Sequence, residues 1–198
     1  PFYWPFTPDQ VFNYYTDLTR STDLPMVVYN IPLAGLLGFD QIKRLASIPG
    51  VKGIKYTAPT HFEILRIKEE VGKEFRVYSG SDEMAMSGLS FGADGIIGSF
   101  YNMIPEVFIA LMSAVENGDM GLAKTLQETA NAIIFFSLNY TPTAVIKKCM
   151  TWQGADAGYC RKPFDNFVTE AEEESLKTAW RKLKQDRNIN GVAFLDVL

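Results

Sequence analysis

The sequence alternates short apolar runs with amphipathic segments, and this alternation is the feature that most restricts the fold. Four apolar runs of strand length are residues 24–29, 51–55, 75–78 and 95–98. Segments with apolar residues at helical spacing lie between them, and the first begins at Thr7 and Pro8, a typical helix start. Single helices between apolar strands predict a parallel sheet covered by helices, which is the α/β class.

The pattern changes after Met103. The four segments that follow have helical periodicity and no strand signal, and they are residues 104–117, 121–138, 143–153 and 169–185. Glu173 and Lys177 are spaced for an i,i+4 ion pair, and the charges around them are typical of the exposed face of an amphipathic helix. We therefore expect the C-terminal part of the chain to be helical.

Composition and motifs exclude several classes of protein. The chain has 198 residues, 19 basic and 23 acidic side chains and a formal net charge of −4, so neither nucleic acid nor an anionic membrane is an expected partner. Two cysteines without CxxC spacing indicate reduced thiols and a cytoplasmic protein, and the longest apolar stretch is too short to span a bilayer. P-loop, dinucleotide, serine hydrolase and zinc signatures are missing, which favours a mechanism without metal or cofactor.

Polar residues end two neighbouring predicted strands, and ligands bind at the carboxyl ends of strands in parallel α/β folds. Lys55 ends the second strand, where a neutral amine can attack a ketone to form a Schiff base. Tyr29 ends the first strand, and its phenol can relay protons. Each residue also has a structural interpretation, because a lysine can extend its ammonium into solvent and a strand-end tyrosine is often a core residue.

Two polar turns lie where the third and fourth strands end, at residues 79–83 and 95–99. Glycine in these turns allows a ligand to approach the backbone, and Asp82 and Glu83 offer acceptors to a substrate with many hydroxyls. Helix capping is an adequate alternative explanation of the same residues. His61, the only histidine, has no partner at metal-ligand spacing, and we leave it out of the predicted site.

Four segments together resemble the dihydrodipicolinate synthase and N-acetylneuraminate lyase superfamily of class I aldolases. They are Tyr-Asn-Ile-Pro at 29–32, Gly-Ile-Lys at 53–55, Gly-Ser-Asp-Glu at 80–83 and the segment at 92–102. Residues 1–6 and 160–164 are most similar to the N-acetylneuraminate lyases within it. The resemblance covers essentially the whole chain.

The resemblance implies a (β/α)8 barrel, with residues 1–102 as its second half, strands five to eight, and residues 103–198 as C-terminal helices of the same domain. It implies a homotetramer without cofactor or metal that cleaves sialic acid, N-acetylneuraminate, to pyruvate and N-acetylmannosamine. Lys55 matches the Schiff-base lysine and Tyr29 the proton donor and acceptor. The residues that match substrate-binding positions are Thr57, Gly80, Asp82, Glu83 and Ser99.

Two departures from the family pattern leave alternatives open. Dihydrodipicolinate synthases carry an Arg soon after Tyr-Asn-x-Pro, whereas residues 33–35 are Leu-Ala-Gly here, which favours a sugar acid over that reaction. The Gly-Thr/Ser-Thr-Gly-Glu segment that binds the pyruvate carboxylate is missing, and the chain begins at Pro1, so we expect the first half of the barrel to precede it. The alternatives are another 2-keto sugar-acid aldolase, a dihydrodipicolinate synthase-like enzyme, and a non-catalytic half-barrel.

Overall fold

The computed structural model describes residues 4–198, which divide into two compact units. The first unit extends to Ile97, and the second runs from Gly98 to Leu198. The lyase-like segment at residues 1–6 lies partly outside the described residues, so its first three positions have no structural account.

The first unit is a parallel sheet with a helix before each strand. Its strands are β1 (Met26–Asn30), β2 (Val51–Tyr56), β3 (Arg76–Ser79) and β4 (Gly95–Ile96). Its helices are α1 (Pro8–Arg20), α2 (Phe39–Ala46), α3 (Phe62–Glu70) and α4 (Ala85–Ser90). The strands are hydrogen-bonded in the order β1-β2-β3-β4, and every neighbouring pair is parallel. The predicted α/β class is therefore confirmed.

Helix α1 begins where its capping residues predict. The Thr7 hydroxyl accepts a hydrogen bond from the Gln10 N–H, and the Gln10 side chain accepts one from the Thr7 N–H. Pro8 occupies the first helical position, where its missing N–H leaves no hydrogen bond unmade. These local contacts fix the start of the helix before any tertiary packing is considered.

The core of the first unit lies between one face of the sheet and helices α1 to α3. In β1, Val28 and Asn30 are buried, whereas Val27 and Tyr29 are 41% and 44% exposed. Because neighbouring side chains of a strand point to opposite faces, the sheet has one packed face and one accessible face. The fully apolar strand pattern predicts cover on both faces, but an apolar run does not say which elements provide that cover. The core residues are Val28, Ile42, Leu45, Ile48, Val51, Ile54, Tyr56, Ala58, Ile64, Ile67, Phe75 and Val77.

Asp94 connects α3, β3 and the chain that leads into β4. Its carboxylate accepts hydrogen bonds from Lys68 Nζ at 2.8 Å, Arg76 Nη1 at 3.1 Å and the Val77 N–H at 2.7 Å. Burial by itself would raise the pKa of Asp94, but the three donors outweigh burial and hold the pKa below its ordinary value. Asp94 therefore fixes the approach to β4, a strand of only 2 residues.

Replacement of Asp94 by Asn should destabilise the protein by about 1–3 kcal/mol, because two cationic donors and one N–H lose their charged acceptor. Urea unfolding followed by circular dichroism measures this change. Glu70→Gln is the matched control, since Glu70 accepts from Lys43 and Arg66 at the exposed surface, where ion pairs contribute little. Equal effects of the two substitutions would contradict the role given to Asp94.

The second unit is helical. Its helices are α5 (Pro105–Glu116), α6 (Met120–Ser137), α7 (Pro142–Trp152), α8 (Glu170–Asp186) and α9 (Ala193–Asp196). The first four lie where helical periodicity predicts them. Helix α9 is not predicted, because a segment of 4 residues is too short to show periodicity, although two of its residues, Phe194 and Leu195, are buried.

Glu173 joins α8 to α7 within the second unit. Its carboxylate accepts hydrogen bonds from Lys148 Nζ and Trp152 Nε1, both at 2.8 Å, and pairs with Lys177 Nζ at 3.0 Å. These donors lower the pKa of Glu173 to about 2. The pair with Lys177 follows from sequence spacing, whereas the two partners on α7 follow only from the packing of the helices.

The stability that Glu173 contributes should depend on pH. A carboxyl group with a lowered pKa in the folded state stabilises the fold above its ordinary pKa of 4.5, and this contribution is lost as the pH falls through about 2. Near pH 6, Glu173→Gln should therefore reduce the free energy of unfolding by about 1 kcal/mol, a value that allows for solvent screening, and near pH 3 by less.

Urea unfolding of both proteins at the two pH values measures this dependence. Glu128→Gln is the control, since the pair of Glu128 with Lys124 is exposed. If the loss caused by Glu173→Gln were the same at both pH values, the carboxylate would not be the stabilising group.

Candidate active site

Tyr29 and Lys55 lie side by side near the carboxyl ends of β1 and β2. The parallel register pairs Tyr29 directly with Lys55, and Tyr78 of β3 continues the row. Residues in one row of a parallel sheet point to the same face. For this row it is the accessible face, since Tyr29 is 44% exposed and Lys55 is half-buried.

The Lys55 ammonium contacts Tyr29 in two ways. Its Nζ donates a hydrogen bond to Tyr29 Oη at 3.1 Å and lies 4.2 Å from the centre of the ring. A cation over an aromatic face is attracted to it. A phenol within hydrogen-bond distance of an amine can exchange a proton with it or with a group attached to it. The pair therefore places a nucleophile beside an acid or base on an accessible surface.

Thr57 and Gly80 lie beside Lys55. The Thr57 N–H donates to the Asn30 carbonyl and the Gly80 N–H to the Tyr56 carbonyl, both at 2.8 Å, so both turns extend the sheet. A methyl group added to Gly80 would overlap Thr57 Oγ1 and lie 3.0 Å from Lys55 Cε, so only glycine fits there unchanged. Thr57 Oγ1 is buried without a hydrogen-bond partner among the described residues, which leaves a donor and acceptor close to the amine.

Asp82 and Glu83 follow Gly80 in a short 3-10 helix, Asp82–Met84, that leads into α4. Asp82 is buried and Glu83 is half-buried. The helical segment predicted between the third and fourth strands is therefore two elements, a 3-10 helix followed by α4.

Ser99 belongs to the second unit. It is exposed and precedes the 3-10 helix Phe100–Asn102, and its carbonyl accepts a hydrogen bond from the Asn102 side chain at 3.0 Å. Of the predicted site residues, the structure brings Tyr29, Lys55, Thr57 and Gly80 together within the first unit.

The sequence matches the dihydrodipicolinate synthetase family over residues 1–184. The chain belongs to this family. It is 36% identical over 191 residues to an Escherichia coli N-acetylneuraminate lyase, and the alignment covers 94% of this chain and 64% of that relative. The chain thus spans about 64% of the length of the relative that it matches.

Solved structures of the same fold include a Ruminococcus gnavus sialic acid aldolase. Its TM-score is 0.84 at 27% identity, with 95% of this chain and 64% of that chain covered. A catalytic lysine mutant of that aldolase also has a TM-score of 0.84 at 27% identity, with coverage of 95% and 63%. The family resemblance of the four sequence segments is therefore confirmed.

Asn30 has a structural role that is not predicted from the sequence of this member of the dihydrodipicolinate synthetase family. The residue is buried on the packed face, and its Oδ1 accepts a hydrogen bond from the Leu37 N–H at 2.9 Å. This bond closes the loop that follows β1. The signal is visible in the sequence, because a polar residue stands two places after Val28, where strand alternation predicts an apolar one.

His61 is a second buried polar residue whose structural role is not predicted from the sequence. It is 3% exposed, and its Nδ1 lies 2.8 Å from Ser87 Oγ on α4. Burial lowers the pKa of His61, so the ring is neutral near pH 7. Its place at the start of α3 follows from the sequence, but its partner on another helix does not.

No group of three or more His, Cys, Asp or Glu side chains within residues 4–198 could hold a metal ion. A helix long and apolar enough to cross a membrane is also missing from the described part of the chain. Both cysteines are free thiols, and burial raises the pKa of Cys149.

Gly80→Ala should displace Lys55 and destabilise the protein by about 1–3 kcal/mol, because the added methyl overlaps Thr57 and crowds Lys55 Cε. Urea unfolding measures the stability, and acetylation of Lys55 followed by mass spectrometry measures the exposure of its amine. Gly121→Ala in α6 is the control and should not destabilise the protein, since the added methyl would lie 3.7 Å from its nearest neighbour, Asp119 Oδ1, which is an ordinary contact. Unchanged stability and Lys55 acetylation in Gly80→Ala would contradict the packing described here.

Proposed function

We propose that the protein is a class I aldolase that forms a Schiff base on Lys55 and cleaves N-acetylneuraminate to pyruvate and N-acetylmannosamine. The observation that carries the proposal is the hydrogen bond from Lys55 Nζ to Tyr29 Oη at 3.1 Å. Family membership supports it, and so does the existence of a catalytic lysine in the Ruminococcus gnavus sialic acid aldolase.

The proposed reaction begins when the neutral amine of Lys55 attacks the C2 ketone of the open-chain sugar acid. Loss of water leaves a protonated imine, which accepts the electron pair of the C3–C4 bond as that bond breaks. The three-carbon half stays on Lys55 as an enamine, and N-acetylmannosamine leaves. Protonation of the enamine and hydrolysis of the imine then release pyruvate and the free lysine.

Tyr29 is the group that we propose moves the protons. Its hydroxyl lies next to Nζ and therefore next to any intermediate bound to Lys55. When the C3–C4 bond breaks, the hydroxyl on C4 loses a proton, which Tyr29 would accept directly or through the carboxylate of the substrate. The same phenol would return a proton to the enamine.

The remaining predicted residues would bind the sugar chain. Thr57 offers its hydroxyl beside the amine, and the lack of a side chain at Gly80 leaves room for Thr57 and Lys55 to lie against the backbone there. Asp82 and Glu83 would accept hydrogen bonds from substrate hydroxyls, and Ser99 would contribute its own hydroxyl. Leu-Ala-Gly at residues 33–35 supports a sugar acid over the dihydrodipicolinate reaction.

We further propose that the four strands are strands five to eight of a (β/α)8 barrel, with residues 103–198 as helices of the same domain. The accessible face of the sheet, which carries Tyr29 and Lys55, would then face the barrel interior. The coverage of 64% of the lyase relative supports this arrangement. We include the homotetramer and the cytoplasmic location in the same proposal.

Borohydride reduction in the presence of pyruvate tests the mechanism in the longest natural protein that contains this chain. Mass spectrometry should find the reduced adduct on Lys55. Tyr29→Phe should retain the adduct but lower kcat for N-acetylneuraminate by about 100-fold to 10,000-fold, because a general acid or base is lost. Tyr14→Phe, at an exposed tyrosine of α1, is the control and should change neither the adduct on Lys55 nor kcat. No adduct, or an adduct on another lysine, would refute the mechanism.

Two comparisons separate the proposal from its alternatives. Faster cleavage of 2-keto-3-deoxygluconate than of N-acetylneuraminate would identify the sibling sugar-acid aldolase. A folded natural protein that neither binds pyruvate nor cleaves either substrate would identify the non-catalytic half-barrel.

A further inference from the structure

Two partly buried hydrogen bonds hold the loop between β2 and α3, which carries Thr57. Tyr56 Oη lies 2.7 Å from Thr60 Oγ1, and His61 Nδ1 lies 2.8 Å from Ser87 Oγ. Tyr56 and His61 are each 3% exposed. The first bond closes the loop on itself, whereas the second leaves the loop and reaches α4.

The bond between His61 and Ser87 joins the two segments that carry most of the candidate site. His61 ends the loop that follows β2, and this loop begins one residue after Tyr56 and includes Thr57. Ser87 lies in α4, directly after the turn of residues 80–84 that contains the two predicted sugar-binding carboxylates, Asp82 and Glu83. A shift of α4 would therefore move this turn relative to the lysine.

Close packing leaves α4 little room while this bond is made. A methyl group on Gly88 would overlap the Ser79 side chain and would lie 3.7 Å from His61 Cε1. Ser79 ends β3 and is fully buried. Helix α4 thus rests against the end of β3 and close to the imidazole ring.

The neutral ring is the form that fits this site. His61 Nε2 is buried and has no hydrogen-bond partner among the described residues. A protonated ring would place a charged N–H there without an acceptor, which is unfavourable in the interior. The neutral ring still bonds to Ser87 through Nδ1, so the link persists near pH 7.

We propose that His61 is a positioning residue that, through Ser87, sets the place of the turn Gly80–Glu83 relative to Lys55. The proposal rests on the aldolase function proposed above. Its effect is selective, because the turn would contact the long hydroxylated part of the substrate, whereas pyruvate reacts at the lysine itself. Loss of the link should therefore weaken recognition of the sugar acid and leave Schiff-base formation with pyruvate intact.

His61→Leu and Ser87→Ala test this selectivity in the longest natural protein that contains the chain. Each should raise KM for N-acetylneuraminate by about fivefold to tenfold, which corresponds to the net contribution of one hydrogen bond, with little change in kcat. Borohydride trapping of pyruvate on Lys55 should be unchanged. Because both variants remove the same bond, the double variant should be no worse than His61→Leu alone.

Two further variants serve as controls. His61→Asn places an amide nitrogen or oxygen near the position of Nδ1 and should restore most of the KM. Ser90→Ala makes the same change as Ser87→Ala on the same helix, but the Ser90 hydroxyl donates to the Met86 carbonyl at the surface, so KM should stay at the wild-type value. Thermal unfolding of every variant identifies any that fail to fold.

The outcomes separate this proposal from the proposed function. An unchanged KM, a parallel loss of kcat and trapping, or strictly additive effects in the double variant would show that His61 has only a structural role. If the wild-type protein forms no pyruvate adduct, the aldolase function fails, and hydrogen exchange then decides the positioning role. Amides of residues 80–87 should exchange faster in His61→Leu than in His61→Asn, and equal rates would refute the link.

Discussion

The parallel pairing of β1 and β2 is the constraint on which the candidate site depends. Its register places Tyr29 directly opposite Lys55, so the hydrogen bonds between the two strands bring the phenol and the amine together without the help of a loop. A one-residue slip would turn one of the two side chains to the packed face and separate them. The residues that hold this register are the buried ones, Val28 and Ile54 among them, because they can face only the core.

Because side chains alternate between the two faces of the sheet, the candidate catalytic residues lie on one face and the residues that hold the adjoining loops lie on the other. Lys55 lies on the accessible face, whereas its neighbour Tyr56 lies on the packed face and bonds to Thr60. Asn30 has the same relation to Tyr29, since it is buried and closes the loop after β1. Each of the two candidate catalytic residues is thus followed by a buried polar residue that holds the adjoining loop. A change of loop can therefore alter what surrounds the lysine without moving the lysine itself.

The sequence predicts those parts of the fold and site that depend on local pattern. The four strands, the helix start at Thr7 and the strand-end positions of Tyr29 and Lys55 all follow from spacing and capping chemistry. The accessible face of the sheet does not, because an apolar run carries no information about what covers it. The bond between His61 and Ser87 joins residues far apart in sequence, so spacing could not reveal it.

The partners of charged residues also cannot be found from sequence spacing alone. Glu173 has the spacing of an exposed helix pair, yet its pKa of about 2 arises mainly from Lys148 and Trp152 on another helix. Asp94 lies just before β4, and hydrogen bonds from three donors join it to α3 and β3. A polar residue in this chain takes its role from partners that only the packed structure supplies. His61 follows the same rule, and its bond to Ser87 of α4 is therefore a stronger guide to its role than its place in the sequence.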